Sequence, residues 1–262
     1  MNQSKKLFSV VMTFFMGVST WVQADEWGDL AVKFVFDGPI PVANPVAITK
    51  DAAFCSKTKL VDDSLVIDEE SKGVSNIIAY LYLSRSASKP PIHPDNKEVK
   101  ALELNLDNDK CRFDPHVVCI QAGQELIIGN LDSVGHNTKI DTFANDAINI
   151  NLPAGSKLSQ LWEKSEKRPS QISCSIHPWM KAWVVIKDHP YFGVSNKQGE
   201  LVIKNVPAGK WTFQFWQEAA GYVDDVNVDG KDTKWKKGRV EINMTSQGVD
   251  LGVVKVNAEL FK

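Results

Sequence analysis

The chain reads as all-β, and three observations predict this. Apolar and polar residues alternate in short runs, as where Leu30, Val32, Phe34 and Phe36 face one way and Ala31, Lys33 and Val35 the other. That period of two is the signature of a half-buried strand. Turn chemistry punctuates the runs, at Asp37-Gly38-Pro39, Pro153-Ala154-Gly155 and Val206-Pro207-Ala208-Gly209. Helical spacing is nearly absent: after residue 24, only Leu158, Leu161 and Trp162 stand at i, i+3 and i+4, and a strand suits them as well.

The first 24 residues are set apart by composition. Lys5 and Lys6 precede a run of 16 apolar-rich residues, Leu7 to Val22, and Val22-Gln23-Ala24 has the small-residue spacing of a signal-peptidase site. The run is shorter than the roughly 20 residues a spanning helix needs. No cysteine lies near the cleavage point to accept a lipid. A cleavable export signal over 1–24 is therefore expected, with the remaining 238 of 262 residues delivered to a periplasm. Removing the two lysines from the 30 basic residues leaves 28 against 32 acidic ones, a balance of −4. Such a chain lacks the basic face that nucleic acid requires, and no second apolar run suggests a membrane span.

From Asp29 the chain alternates as a strand to Phe36, and Ile77, Ala79, Leu81 and Leu83 mark a second over 76–83. Residues 40–70 are mixed, and Pro41 and Pro45 oppose a long helix there. Ser84 to Lys97 is polar and carries Pro90, Pro91 and Pro94, so it reads as a linker or surface loop, with His93 solvated. Ile148, Ile150 and Leu152 form another strand. After His189-Pro190 a second β pattern begins. Gly199-Glu200-Leu201-Val202-Ile203 leads through Val206-Pro207-Ala208-Gly209 into Trp211, Phe213 and Phe215, an aromatic stripe on one face. A sandwich core is its expected use, and a carbohydrate platform the alternative. Val240, Ile242 and Met244, then Val249, Leu251 and Val253, close the pattern with two strands.

The chemistry is concentrated in Cys174-Ser175-Ile176-His177-Pro178-Trp179-Met180, with a second imidazole at His136 in Asn130-Leu131-Asp132-Ser133-Val134-Gly135-His136-Asn137. A thiolate, two imidazoles and a thioether are the ligands of a blue-copper site, the thioether being weak and axial. A structural zinc site is the competing reading, but it takes four Cys or His ligands and no fourth is paired nearby.

These residues resemble the cupredoxin family, and within it most closely the amicyanins, whose ligand loop also reads Cys-x-x-His-Pro-x-Met. The resemblance runs from about Ala101 to Lys187. It takes in Ala101 to Leu106 as an early strand, Phe113 to Gln124 as a strand and turn, and Trp183 to Ile186 as the last strand. It implies a Greek-key β-sandwich holding one type 1 copper, with His136, Cys174 and His177 equatorial and Met180 axial. Asn137 would tie the two ligand loops together. It also implies that His177 reaches the surface as the electron port, so that a redox partner protein docks near His177, Pro178 and Trp179. The segment after His189 resembles carboxypeptidase regulatory-like domains, of prealbumin-like fold, with Gln198, Leu201 and Trp211 departing from that pattern.

The expected organisation is then a signal at 1–24, an N-terminal β segment at 25–99, a copper domain at 100–188 and a second β-sandwich at 189–262. The second pattern lacks its opening strand, and the strands before residue 84 have no role in the copper sandwich. One outer sandwich from about 28–83 plus 190–262, with the copper domain inserted, resolves both.

With Cys174 a ligand, Cys55, Cys111 and Cys119 remain. Cys119 lies in the apolar run Val117 to Ile120 and is expected as a buried free thiol, leaving Cys55 and Cys111 as the disulfide pair of an exported protein. His116 and His189 are expected to be structural. No nucleophile elbow, phosphate loop or His-Glu-x-x-His motif occurs, so catalysis is not expected. Electron carriage is the expected function, and amine oxidation is the system the resemblance suggests. Copper carriage or storage, and a structural or glycan-binding role, are the alternatives.

Overall fold

The computed structural model describes residues 26–84, 86–99 and 103–261. The expected signal and the start of the strand expected at Ala101 lie outside these residues. The chain is all-β, as expected. Two strands come first, β1 (Trp27–Asp37) and β2 (Ile78–Leu81). Nine follow: β3 (Leu104–Asp109), β4 (Arg112–Asp114), β5 (Val117–Gln121), β6 (Glu125–Asn130), β7 (His136–Ile140), β8 (Ile148–Leu152), β9 (Lys157–Leu161), β10 (Ser170–Ser173) and β11 (Lys181–Lys187). The last are β12 (Phe192–Val194), β13 (Glu200–Pro207), β14 (Gly209–Gln217), β15 (Gly221–Tyr222), β16 (Asp225–Val228), β17 (Lys231–Lys234), β18 (Arg239–Met244) and β19 (Val249–Asn257).

These strands make four sheets that pack as two sandwiches. The inner sandwich has sheets ordered β5-β11-β10-β7-β8 and β4-β3-β6-β9. Its parallel pairs, β3 with β6 and β5 with β11, require the chain to cross between sheets. Leu106, Phe113, Ile120, Leu126, Ile128, Ile172 and Val184 are among the residues that fill it.

The outer sandwich joins the two ends of the chain. β1 lies between β13, to which it is antiparallel, and β19, to which it is parallel. The facing sheet places β2 between β12 and β14, with β18 on the other side of β14. Alternation along β1 buries Leu30, Val32, Phe34 and Phe36, whose partners include Ile203, Phe213, Phe215 and Val254. The Phe34 and Phe215 rings meet edge to face with centroids 5.5 Å apart. The aromatic stripe is thus core: Phe213 and Phe215 are fully buried and Trp211 packs against them. Gly199 enters β13 at φ +78°, where a Cβ would come within 2.0 Å of the Phe34 carbonyl oxygen, so only glycine lets the turn approach β1.

A third, smaller core joins the sandwiches. All four residues of β2 are buried, because Ala79 and Leu81 enter the outer core while Ile78 and Tyr80 pack on Val117 and Val185 of the inner one. That explains an apolar run without alternation, the mark of a strand covered on both faces.

Several elements differ from expectation. The early strand begins at Leu104 and extends to Asp109. Lys157 to Leu161 is the strand β9, paired with β6 over five residues, and cross-strand pairing overrides its helical spacing. Trp162 beyond it is buried. The helices that do form are short, α1 (Ala52–Cys55) and α2 (Pro94–Val99), the latter within the segment read as a linker. Cys119 is free but only half-buried, since its side of β5 faces the small core between the sandwiches.

Residues 46–61, part of the segment read above as mixed, leave the outer sandwich and cover one end of the inner one. Val46 donates to the Leu60 carbonyl and Asp62 to that of Asn44, closing the segment on itself. Cys55 and Leu60 enter the inner core, and Val46, Ile48 and Phe54 pack beside them.

Two outcomes follow from this arrangement. Residues 189–262 expressed alone would lack β1, leaving β13 and β19 as open edges, and should show no cooperative unfolding transition by circular dichroism. A stable, cooperatively folding fragment would contradict the shared sandwich. His189 gives the second. Its Nε2–H donates to the Leu81 carbonyl at 3.0 Å and its Nδ1 accepts from the Tyr191 amide at 3.2 Å, so the buried ring is satisfied only when neutral. Burial pushes its pKa down to about 4. The unfolded chain therefore binds a proton that the folded chain does not, and stability full above about pH 6.5 falls by about 3 kcal/mol as pH drops to about 4. His189→Gln should flatten this part of the stability–pH profile in chemical denaturation; an unchanged slope would refute the assignment.

Candidate metal centre

The site is built on one hairpin, two loops and the covering segment. Between β3 and β4 the turn residues Lys110 and Cys111 have φ of +50° and +56°. Both central residues of a two-residue hairpin turn adopt positive φ in the type I′ form, which glycine or asparagine usually supplies. Here a carboxylate holds it: Asp132 accepts from the Lys110 amide at 2.6 Å and from the Cys111 amide at 2.8 Å. Asp132 is itself placed by Asn130, whose Oδ1 accepts its amide and whose Nδ2 donates to the Val134 and Leu152 carbonyls.

Asp132 also bonds His136 Nε2 at 2.7 Å. A carboxylate only accepts, so Nε2 carries the proton and Nδ1 carries the lone pair. His136 is fully buried, and its Nδ1 has no hydrogen-bond partner. Burial, helped by the neighbouring His177, holds this imidazole below its ordinary pKa although the Asp132 hydrogen bond pulls the other way.

His177 repeats the arrangement. Its Nε2 bonds Asp51 Oδ2 at 2.9 Å, and its Nδ1 lies 3.8 Å from Cys174 Sγ. Ligand atoms of His136, Cys174 and His177 all lie within 4.8 Å of one another, and all three residues are buried. The two imidazole centroids are 4.6 Å apart. Cys174 Sγ accepts from the Asn137 amide at 3.3 Å and the His177 amide at 3.4 Å. Asn137 links the loops as expected, since its Oδ1 also accepts from the Ser175 amide at 3.2 Å. Met180 is buried at the same end, its amide bonded to the His177 carbonyl and its carbonyl to the Cys174 amide, which closes the loop into a turn. Cys111, Asp132 and His136 form a second close group. Cys111 is disulfide-bonded to Cys55, so that group has no free thiolate.

The expected port at His177 is closed. The ring is fully buried, with the Asp51 carboxylate on its Nε2 and the His136 and Trp179 rings 4.6 and 5.1 Å away. Pro178 is exposed, while Trp179 is half-buried with its indole N–H bonded to the Cys111 carbonyl at 3.1 Å. Asp51 sits at the start of α1 with φ +48°; its carbonyl accepts from the Phe54 and Cys55 amides while its side chain turns to His177. A left-handed aspartate is strained, and such strain persists only where surroundings hold it. The holders are the Cys55–Cys111 disulfide, the expected pair, and Arg112, which bonds Asp63 and the Val61 carbonyl.

Sequence reasoning missed both aspartates. Asp132 had a signal, four residues before His136 in the quoted loop; Asp51, 126 residues from His177, had none. His116 is not among the clustered ligands. It bonds Glu218 at 2.9 Å, and although burial opposes its charge, the Glu218 hydrogen bond and charge outweigh it and raise its pKa.

No protein-family model matches the chain, and no curated protein matches it. Solved structures do. A copper-containing nitrite reductase from Thermus scotoductus SA-01 is 18% identical over 40% of this chain and 25% of its own, with a TM-score of 0.30. A purple cupredoxin from Nitrosopumilus maritimus is 22% identical over 32% of this chain and 98% of its own, with a TM-score of 0.27. The reduced state of an amicyanin mutant is 15% identical over 42% and 98%, with a TM-score of 0.29. The chain spans a quarter of the reductase's length. Likenesses this slight assign no ligand, and the chemistry rests on the residues above.

The disulfide closes a sequence separation of 56 residues. Replacing Cys55 and Cys111 together with alanine should lower the unfolding free energy by about 4 kcal/mol on chain-entropy grounds. Denaturant titration measures this, and a loss below about 1 kcal/mol would show that the covering segment is held without the staple.

Proposed function

We propose that the protein binds one copper through His136, Cys174 and His177, with Met180 as a weak fourth ligand, in the periplasm, and serves as a one-electron carrier rather than an enzyme. The observation that carries this is the pair of inward Nδ1 atoms. Each imidazole has its Nε2–H tied to a carboxylate, and the freed lone pairs lie beside a buried thiol. The His136 Nδ1 lone pair is buried without a partner, which is costly unless something binds it, while that of His177 lies 3.8 Å from the Cys174 thiol. The donor set is soft enough for Cu(I) and nitrogenous enough for Cu(II). When bound, copper supplies a one-electron couple.

The protein's own groups do the rest. Asp132 and Asp51 fix the imidazole tautomers and ring orientations, as partners of metal-ligating histidines do. The Asn137 and His177 amides spread the thiolate charge. The inner core and residues 46–61 exclude water. Because His177 is covered, an electron leaves by way of the exposed side of Trp179 and Pro178, where a redox partner docks. A periplasmic dehydrogenase of amines is the partner class that the ligand loop suggests.

One observation favours a second reading, copper carriage or storage. A ligand sealed under a disulfide-stapled segment suits retention of the ion better than rapid electron exchange through its edge.

Copper titration of the purified chain with visible spectroscopy tests the proposal. One equivalent should produce an intense thiolate-to-copper band. Cys174→Ser should abolish it, while Met180→Leu should keep the colour and raise the reduction potential. Colourless binding of one equivalent would favour carriage, and a blue Cys174→Ser protein would sink the ligand assignment.

A further inference from the structure

A cavity of 430 Å³ lies on the seam between the sandwiches, away from the ligand loop. Its inner-sandwich wall carries Arg168 and Lys187, and its outer-sandwich wall carries Tyr82, Tyr222 and Arg239. The cations there have no carboxylate partner. Among the described residues, neither arginine nor Lys187 forms an ion pair.

The two acids lining the cavity, Glu166 and Asp188, are engaged elsewhere. Glu166 Oε1 accepts from the Phe143, Ala144 and Asn145 amides at 2.8 to 3.1 Å and from the Asn145 side chain. Asp188 pairs with Lys89 at 3.1 Å.

Lys187 is buried, with its ammonium 3.8 Å from the Tyr80 ring centroid and one bond to the Glu166 carbonyl at 2.6 Å. An ammonium has three donors, and these contacts leave at least one free. Burial draws its pKa down to about 8, although the nearby charges of Asp188 and Glu166 pull the other way. The Arg239 guanidinium carbon lies 3.5 Å from the Tyr82 ring centroid, and its Nε is buried without a hydrogen-bond partner.

We propose that this cavity binds a small organic anion, a carboxylate on an aromatic body, with Arg239, Lys187 and Arg168 around the charge and Tyr82 and Tyr222 against the ring. A carboxylate meeting the Nη end of Arg239 can take two N–H groups together, the fork geometry that arginine favours. The volume falls within the range of small-molecule sites and suits a ligand of one ring. Because its walls come from both sandwiches, the bound anion also clamps the seam, and ligand that binds only the folded chain raises the melting temperature.

Isothermal titration of the purified chain with sodium benzoate at constant ionic strength, with acetate as the ringless comparison, tests this. Benzoate should bind saturably and raise the melting temperature, and acetate should bind at least about tenfold more weakly, since burial of a ring is worth more than 1.4 kcal/mol. Arg239→Gln should weaken benzoate by at least about tenfold. Arg168→Gln, on an exposed loop residue and therefore safe for folding, should weaken it in the same direction. Absence of saturable benzoate binding, acetate binding as tight as benzoate, or affinity unchanged in both variants would each overturn the proposal.

Discussion

The carboxylate of Asp132 accepts three hydrogen bonds, from the amides of Lys110 and Cys111 and from the imidazole of His136. The left-handed turn between β3 and β4, the position of Cys111 for its disulfide, and the tautomer of His136 all depend on it. A neutral side chain there would leave a strained turn with two bare amides and an imidazole free to rotate. The same interaction is made a second time by Asp51 on His177. Together these bonds turn two buried histidines into a pair of lone-pair donors facing one sulfur.

The second carboxylate changes how the site can communicate. A ligand loop at the end of a β-sandwich is ordinarily open to solvent on one side, but residues 46–61 close this one. Their attachment is redundant: a disulfide, an imidazole–carboxylate bond and the Arg112 contacts act within one small patch. Apolar packing by Cys55 and Leu60 makes the cover part of the inner core rather than a loop resting on it. A metal held here would be dry and geometrically constrained.

The two sandwiches are tied as closely as the cover is. The inner one interrupts the outer between β2 and β12, so both of its ends are anchored in the sheet that faces β1. Ile78 and Tyr80 on one side and Val117 and Val185 on the other form the contact. His116, bonded to Glu218 just beyond β14, and Trp183, bonded to the same carboxylate, add polar ties across it. The seam cavity beside these ties is lined by Arg168, Lys187 and Arg239, which form no ion pair among the described residues.

Local pattern alone determined a great deal of this protein. Period-two alternation located β1, β8, β14, β18 and β19, because a strand with one buried face must alternate. The spacing of Cys174, His177 and Met180 on a single loop was legible from residue chemistry and short-range spacing, and the disulfide between Cys55 and Cys111 from the polar surroundings that set those two apart from Cys119. Tertiary structure decided what depends on contacts distant in sequence. The residues at 157–161 became a strand because β6 offered a ladder, not because of their own spacing. Asp51 reached His177 across 126 residues, and Lys187 and Arg239 came to one cavity from different sandwiches. No periodicity encodes such meetings; the packing of whole sheets and the closure of one disulfide bring them about.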